Sequence, residues 1–176
     1  GEHRCCTRGG WSAGSDVYRG QVGGWRFGSR RLAGVDHVWS GDLSRTMLKG
    51  HELNHPGGRH VVWDAARPGS LASGPAALPK VDVLSLSPPC QGFSRRDVHD
   101  PRRRLAPASL ERVKEMPRER RPSVILIENV AGFRGSREYH RMRPVSSEMF
   151  YPSTCLLYTS DPPKDPHPII HIQLRL

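Results

Sequence analysis

A single cysteine in the segment Asp82–Ser94 (DVLSLSPPCQGFS) has the sequence context that nucleophilic chemistry requires. A short apolar run leads into Pro88-Pro89, and Cys90 follows directly. Because proline fixes φ, the two prolines stiffen the loop and can hold the next side chain still. Arg95 and Arg96 make the surroundings of the thiol electropositive, which favours the thiolate. The segment therefore predicts a reactive cysteine, and a small, buried, apolar cysteine is the alternative.

Four short apolar runs end in polar or structure-breaking residues, which is the pattern of β-strands. The runs are Val38-Trp39, Val61–Trp63, Val81–Leu86 and Val124–Ile127. Side chains that can do chemistry follow just after them, and these are Asp42, Asp64, Cys90 and Glu128. Because ligands bind beyond the carboxyl ends of the strands in parallel sheets, we expect these side chains to border one site.

Two segments between these runs are predicted to be helices. Ser44 can cap a helix over 45–54, which Pro56-Gly57-Gly58 would end. The segment 110–121 has apolar residues at the spacing of one helical face, namely Leu110, Val113 and Met116. Alternating strands and helices predict an α/β fold with a parallel sheet that has helices on its faces.

The cysteine segment also resembles a known family. Pro88–Ser94 (PPCQGFS) is similar to the catalytic loop of the DNA cytosine-5 methyltransferases. Glu128-Asn129-Val130 resembles the second catalytic motif of that family, and Asp100-Pro101-Arg102 resembles a segment found between the two. The resemblance covers residue 16 to about residue 133. It implies the doubly wound, Rossmann-like α/β fold of methyltransferases that depend on S-adenosyl-L-methionine.

For the reaction, the resemblance implies covalent catalysis on a cytosine that is flipped out of the duplex. Carbon 5 becomes nucleophilic when a thiolate adds to carbon 6, and Cys90 is the candidate for that step. Glu128 is the candidate for the acid that donates a proton or hydrogen bond to ring nitrogen 3. Carbon 5 then takes the methyl group of S-adenosyl-L-methionine. The predicted function is therefore that of a DNA cytosine-5 methyltransferase.

A site for S-adenosyl-L-methionine is implied by the same resemblance. Asp16–Trp25 (DVYRGQVGGW) resembles the family's first strand and glycine-rich turn, but it has one extra residue and an arginine where a small residue is usual. Asp42 matches the acidic residue that holds the ribose, and Asp64 matches the one that meets the adenine. An ordinary aspartate that caps a turn is the alternative for each. The implied cofactor contacts are Gly20, Gly23, Gly24, Asp42, Asp64 and Pro88.

The charge of the chain favours a polyanionic partner. The chain has 27 Lys and Arg against 17 Asp and Glu, a net charge of +10, and 95–143 alone has 14 against 7, a net +7. We predict that this basic segment contacts the phosphates of double-stranded DNA, and a solvated helix face is the alternative. The predicted substrate contacts are Gln91, Ser94, Arg95, Arg96 and Arg102.

The cellular setting is predicted from signals that the sequence lacks. No apolar run is long enough to cross a membrane, and no secretory signal is visible. Four cysteines, of which Cys5 and Cys6 are adjacent, do not form the pattern of a disulfide framework. We therefore expect a cytoplasmic protein, nucleoid-associated if bacterial. We also expect the protein to be a monomer and to bind no metal. A cognate restriction endonuclease is expected as its partner system.

The chain divides into three predicted regions. Residues 1–15 are expected to be a loose lead-in, 16–143 a partial methyltransferase catalytic domain, and 144–176 an irregular Pro-rich tail. Four prolines lie within 161–168, where we expect no regular element. The family's Gln-x-Arg-x-Arg segment and target-recognition region are not found. We therefore expect an incomplete fold in a truncated chain, with a frame-shifted or disordered end as the hypothesis.

Three other functions fit parts of the sequence. A tRNA cytosine-5 methyltransferase of the same family has a similar catalytic loop. An inactive fragment that binds nucleic acid fits the high charge and the missing motifs. A zinc metallopeptidase would use His51, Glu52 and His55, because His51–His55 (HELNH) matches H-E-x-x-H. Pro56 ends that helix directly after the motif, and His60 is one residue short of the extended zinc spacing.

Overall fold

A computed structural model describes residues 3–10, 35–93, 99–142, 156–159 and 169–175 of the chain. Within these residues, eight strands form one sheet. The strands are β1 (His3–Gly10), β2 (Val35–His37), β3 (Trp39–Asp42), β4 (Arg59–Val62), β5 (Val83–Ser87), β6 (Val124–Val130), β7 (Leu156–Thr159) and β8 (Ile169–Arg175). Two helices of ten residues, α1 (Arg45–Asn54) and α2 (Leu105–Lys114), lie between strands in the chain.

The order of the strands is β4-β3-β1-β5-β6-β8-β7, with β2 also paired to β1. Strands β1, β3, β4, β5 and β6 are parallel, whereas β8 runs antiparallel to both β6 and β7. The chain first extends the sheet on one side of β1 and then returns to extend it on the other side. The switch between β1 and β5 is where doubly wound sheets bind their ligands. The predicted doubly wound α/β class is confirmed.

Apolar side chains from the central strands form the core. Leu84 and Leu86 of β5 pack beside Ile125 and Ile127 of β6, and all four are fully or almost fully buried. The four strand predictions from apolar runs are confirmed, with β6 extended by three residues to include the whole Glu128-Asn129-Val130 motif. The Glu128-Asn129-Val130 motif is therefore part of the sheet and is not a loop.

Helix α1 has the predicted bounds, and Ser44 caps it by accepting a hydrogen bond from the Met47 amide. Helix α2 begins five residues before its predicted start and ends at Lys114. Pro107 lies in its first turn, where no intrahelical donor is needed, so it does not prevent the helix. Pro117 cannot continue the helix, and a 3₁₀ turn (Arg118–Arg120) follows. The predicted apolar face is nevertheless buried.

Both ends of the chain contain strands where we expected irregular structure. Strand β1 lies within the predicted lead-in and pairs with both β3 and β5, because backbone hydrogen bonds on two sides fix a strand that lacks an apolar pattern. Strand β8 follows the proline-rich segment and pairs with β6 along all seven of its residues. Residues 16–25 and 161–168 lie outside the described residues. No helix in the described part of the chain has the length and apolar character of a membrane span.

Candidate active site

Cys90 lies at the carboxyl edge of the sheet, three residues after the end of β5. Pro88 and Pro89 are buried, whereas the side chain of Cys90 is exposed. Because the two prolines are buried, they hold the loop against the protein, and the thiol at its tip faces solvent. The alternative of a small, buried, structural cysteine is therefore wrong.

The carboxyl group of Glu128 lies at the same edge and is connected to the cysteine strand. Leu86 pairs with Ile127 in the parallel register of β5 and β6, so Ser87 and Glu128 come next on neighbouring strands. The Ser87 hydroxyl donates a hydrogen bond of 2.7 Å to Oε2 of Glu128. This bond orients a half-buried carboxyl group beside the strand that carries Cys90.

Asn129, the next residue of the same motif, holds the loop that carries Cys90. Its side chain is 3% exposed, and its amide nitrogen donates a hydrogen bond of 3.2 Å to the Pro88 carbonyl. Its amide oxygen accepts a hydrogen bond from the Val130 backbone, which holds the side chain in that direction. The motif on β6 therefore supplies both a carboxyl group and a clamp on the cysteine loop.

Residues after Cys90 are held by contacts with the segment that follows β6. The 3₁₀ turn Gln91–Phe93 follows Cys90 directly. The ring of Phe93 packs edge-to-face on fully buried Phe133, with 4.8 Å between the ring centroids. Gly132 allows this approach, because a β-carbon there would collide with the Phe93 carbonyl oxygen. Arg103 donates a hydrogen bond of 3.0 Å to the Gly92 carbonyl. Sequence reasoning missed these contacts.

Arg102, a predicted substrate contact, makes an internal ion pair. Its guanidinium group binds the carboxylate of Asp100, which is 3% exposed, and its backbone amide donates to the same carboxylate at 2.8 Å. The hydrogen bond from the Arg102 side chain holds the pKa of Asp100 below its ordinary value, although burial acts in the opposite direction. This pair stabilises the turn that begins at Pro101. The substrate role of Arg102 stays a prediction.

The two aspartates that we assigned to the cofactor follow neighbouring strands of the sheet. Asp42 ends β3 and accepts a hydrogen bond of 2.7 Å from the Ser44 amide, and Asp64 accepts one of 2.8 Å from the Ala66 amide. Each carboxylate therefore also caps a turn, as the alternative interpretation expected. Both carboxylates nevertheless lie at the edge where the other site residues lie, and hydroxyl groups of a ribose are chemically suited to them.

Several predicted site residues lie where their side chains are not described. Gly20, Gly23, Gly24, Ser94, Arg95 and Arg96 are outside the described residues, and Gln91 is described by its backbone alone. The structure therefore brings together Cys90, Glu128 and Pro88 on two adjacent strands, with Asp42 and Asp64 on the strands beyond β1. The residues that sequence reasoning missed are Ser87, Asn129 and Arg103. Only Asn129 had a signal in the sequence that could have identified it, because it belongs to the Glu128-Asn129-Val130 motif.

The H-E-x-x-H segment does not have the arrangement of a zinc peptidase. His51 and His55 are buried, but Glu52 between them is exposed, and His55 has already left the helix. Nδ1 of His51 lies 2.7 Å from Nε2 of His60, which is the geometry of a hydrogen bond between the rings. In the described part of the chain, no three His, Cys, Asp or Glu side chains are grouped so that they could hold a metal ion.

Comparison with known families gives one match to the sequence. A family model described as C-5 cytosine-specific DNA methylase matches residues 19–150, which is most of the chain. A search of curated protein sequences finds no significant match.

Solved structures share the fold at low sequence identity. They include the Dnmt2 methyltransferase of S. pombe (20% identity, TM-score 0.65, 99% of this chain and 51% of that one). The methyltransferase EhMeth of Entamoeba histolytica is similar as well (16%, 0.66, 100% and 53%). A TehB-like SAM-dependent methyltransferase of Corynebacterium glutamicum also matches (14%, 0.54, 99% and 80%). The chain spans about half the length of the first two.

Proposed function

Because the chain belongs to the C-5 cytosine-specific DNA methylase family, we propose that it is the catalytic portion of a DNA cytosine-5 methyltransferase. The observation that carries this proposal is the placement of an exposed thiol and an oriented carboxyl group at the ends of two adjacent strands. A nucleophile and an acid on neighbouring rigid elements can act on two sides of one pyrimidine ring.

The chain's own residues perform the covalent part of the reaction. The Cys90 thiolate adds to carbon 6 of cytosine, and the electron pair of the 5,6 double bond moves toward the ring nitrogen 3 edge. Glu128 donates a proton or hydrogen bond to that nitrogen, and Ser87 keeps the carboxyl group turned toward the cysteine strand. After carbon 5 has been methylated, loss of its proton and elimination of the thiolate restore the ring and free Cys90.

S-adenosyl-L-methionine fits the edge that carries Asp42 and Asp64. When bound, it supplies an electrophilic methyl group for carbon 5. Asp42 and Asp64 would hold its ribose and adenine from the ends of β3 and β4, on the far side of the switch between β1 and β5. The backbone amides that already bind each carboxylate fix the direction in which the remaining acceptor capacity points.

The substrate is proposed to be double-stranded DNA, and the family description supports DNA as the kind of nucleic acid. The target base must leave the stack to reach Cys90, and the basic segment 95–143 would hold the phosphates of the opened duplex. A tRNA is the second candidate, because the catalytic loop resembles that of tRNA cytosine-5 methyltransferases as well.

Trapping of a covalent adduct tests the proposal. Duplex DNA with 5-fluorocytosine, mixed with the full chain and S-adenosyl-L-methionine, should give an adduct that survives denaturing electrophoresis. Cys90→Ser should abolish it, whereas Cys155→Ser, which removes another thiol, should not. A parallel reaction with 5-fluorocytosine-substituted tRNA identifies the preferred substrate. An adduct that survives Cys90→Ser, or no adduct with either nucleic acid, would refute the assignment.

A further inference from the structure

A cavity of about 430 Å³ lies beside the cysteine loop and is open to solvent. Its charged lining consists of His99, Asp100, Arg103, Arg104, Arg137 and Glu138. We propose that this cavity binds a backbone phosphate of the nucleic-acid strand that carries the target base, with Arg104 and Arg137 as the binding groups. The inference rests on the proposed function, since it assigns one contact of that substrate.

The two acidic side chains in the lining are already neutralised by arginines. Asp100 is ion-paired with Arg102, and Glu138 is ion-paired with Arg103 at 2.9 Å. Burial raises the pKa of Glu138, but the hydrogen bond from Arg103 and the nearby positive charges outweigh it, so the pKa lies below its ordinary value. Both acids are therefore ionised partners of internal cations and leave no net negative charge on the cavity.

Two cations remain available to a ligand. Arg104 and Arg137 are exposed, and neither makes an ion pair or a side-chain hydrogen bond to any residue that the structure describes. One precedes α2 and the other begins the helical residues 137–142, so the two arginines line the cavity from two different elements. A guanidinium group presents paired donors that match two phosphate oxygens. The lining therefore has the charge and the donors that a phosphate diester requires.

The cavity is connected directly to the cysteine loop through Arg103. One guanidinium nitrogen donates to the Gly92 carbonyl at 3.0 Å, and another binds Glu138, while the group lies 5.0 Å above the Phe93 ring. Arg103 therefore links the lining of the cavity to the turn after Cys90. A phosphate held by Arg104 and Arg137 would fix the strand close to the point where its base meets the thiol.

The salt dependence of binding tests this proposal. Anisotropy titrations would use the full chain with labelled duplex DNA and, separately, labelled tRNA between 50 and 200 mM salt. The slope of log K against log [salt] reports phosphate contacts, at about 0.9 for each on duplex DNA. The double variant Arg104→Gln/Arg137→Gln should reduce the magnitude of this slope by about 1 to 2. The double variant Arg104→Lys/Arg137→Lys keeps both charges and should retain most of the slope.

A matched control removes the same charge elsewhere. Lys49 in α1 and Lys80 before β5 are exposed and lie outside the basic segment 95–143, so Lys49→Gln/Lys80→Gln should leave the slope nearly unchanged. Thermal unfolding confirms that all variants fold. If the control pair and Arg104→Gln/Arg137→Gln change the slope equally, the inference is overturned. Adduct formation by the parent chain would in that case still support the proposed function. A parent chain that binds neither nucleic acid overturns both.

Discussion

Removing the Asn129 side chain isolates the contribution of the clamp on the cysteine loop. Asn129→Ala deletes the amide that donates to the Pro88 carbonyl at 3.2 Å, while Glu128 and Cys90 keep their identities. Because the position is 3% exposed, water cannot easily replace the lost donor. We expect the variant to fold, but with a loop that no longer holds the thiol in one place.

The magnitude follows from the burial of that hydrogen bond. Leaving a buried acceptor without its donor costs about 1–3 kcal/mol. In a domain of this size, 1 kcal/mol lowers the unfolding temperature by about 2–4 °C, so a decrease of about 2–12 °C is expected. If the transition state for thiol addition needs the same loop geometry, adduct formation slows by about 5- to 150-fold.

Two measurements separate this reasoning from a general loss of stability. Thermal unfolding gives the cost in the free protein, and single-turnover trapping on 5-fluorocytosine DNA, well below the unfolding temperature, gives the rate of thiol addition. Asn54→Ala is the matched control, because Asn54 is exposed at the end of α1 and should change both by little. An Asn129→Ala protein that forms the adduct at the parent rate would refute the clamp.

Three further substitutions test other parts of the site. Ser87→Ala removes the donor to Glu128, and we expect single-turnover adduct formation to slow by about 2- to 12-fold and the unfolding temperature to fall by about 1–6 °C, since a hydrogen bond contributes about 0.5–1.5 kcal/mol net. Gly132→Ala places a β-carbon against the loop backbone, and urea unfolding should show a loss of about 1–3 kcal/mol. Asp100→Asn should flatten the decrease in stability in acid. The depressed pKa of Asp100 contributes stability above its ordinary value of 3.8, and this stability is lost as pH falls through the folded pKa.

Each of these has a control and a contrary outcome. Ser73→Ala removes an exposed hydroxyl, and equal rates for the two serine variants would remove Ser87 from the mechanism. Gly135→Ala meets nothing within 4 Å, so equal losses at both glycines would contradict the steric explanation. Asp36→Asn replaces an exposed carboxylate, and an unchanged acid profile for Asp100→Asn would contradict the ion pair's role.

Local patterns were sufficient to predict helix α1 and the strands that position the proposed site residues. The apolar runs before Asp42, Asp64, Cys90 and Glu128 form strands, and Ser44 caps α1 as its side chain predicts. These features depend on residues that are close together in the chain, so they can be predicted from a single sequence.

Contacts between distant segments could not be predicted in this way. The bond between Ser87 and Glu128 depends on the register of two strands that are 41 residues apart, which no local pattern sets. Arg103 reaches Gly92 because a turn brings the chain back, and an arginine in a basic segment gives no sign of this. Strand β1 was missed because pairing on both sides, rather than its composition, makes it a strand.

Strand β8 has a consequence for any shortened form of the chain. It covers the outer backbone of β6 along Val124–Val130, with His171 aligned to Glu128 and Ile170 to Asn129. A fragment that stopped before β8 would leave this valine- and isoleucine-rich strand as an open template for another chain. Such a fragment would associate edge to edge and precipitate on expression, even with Cys90 and Glu128 in place.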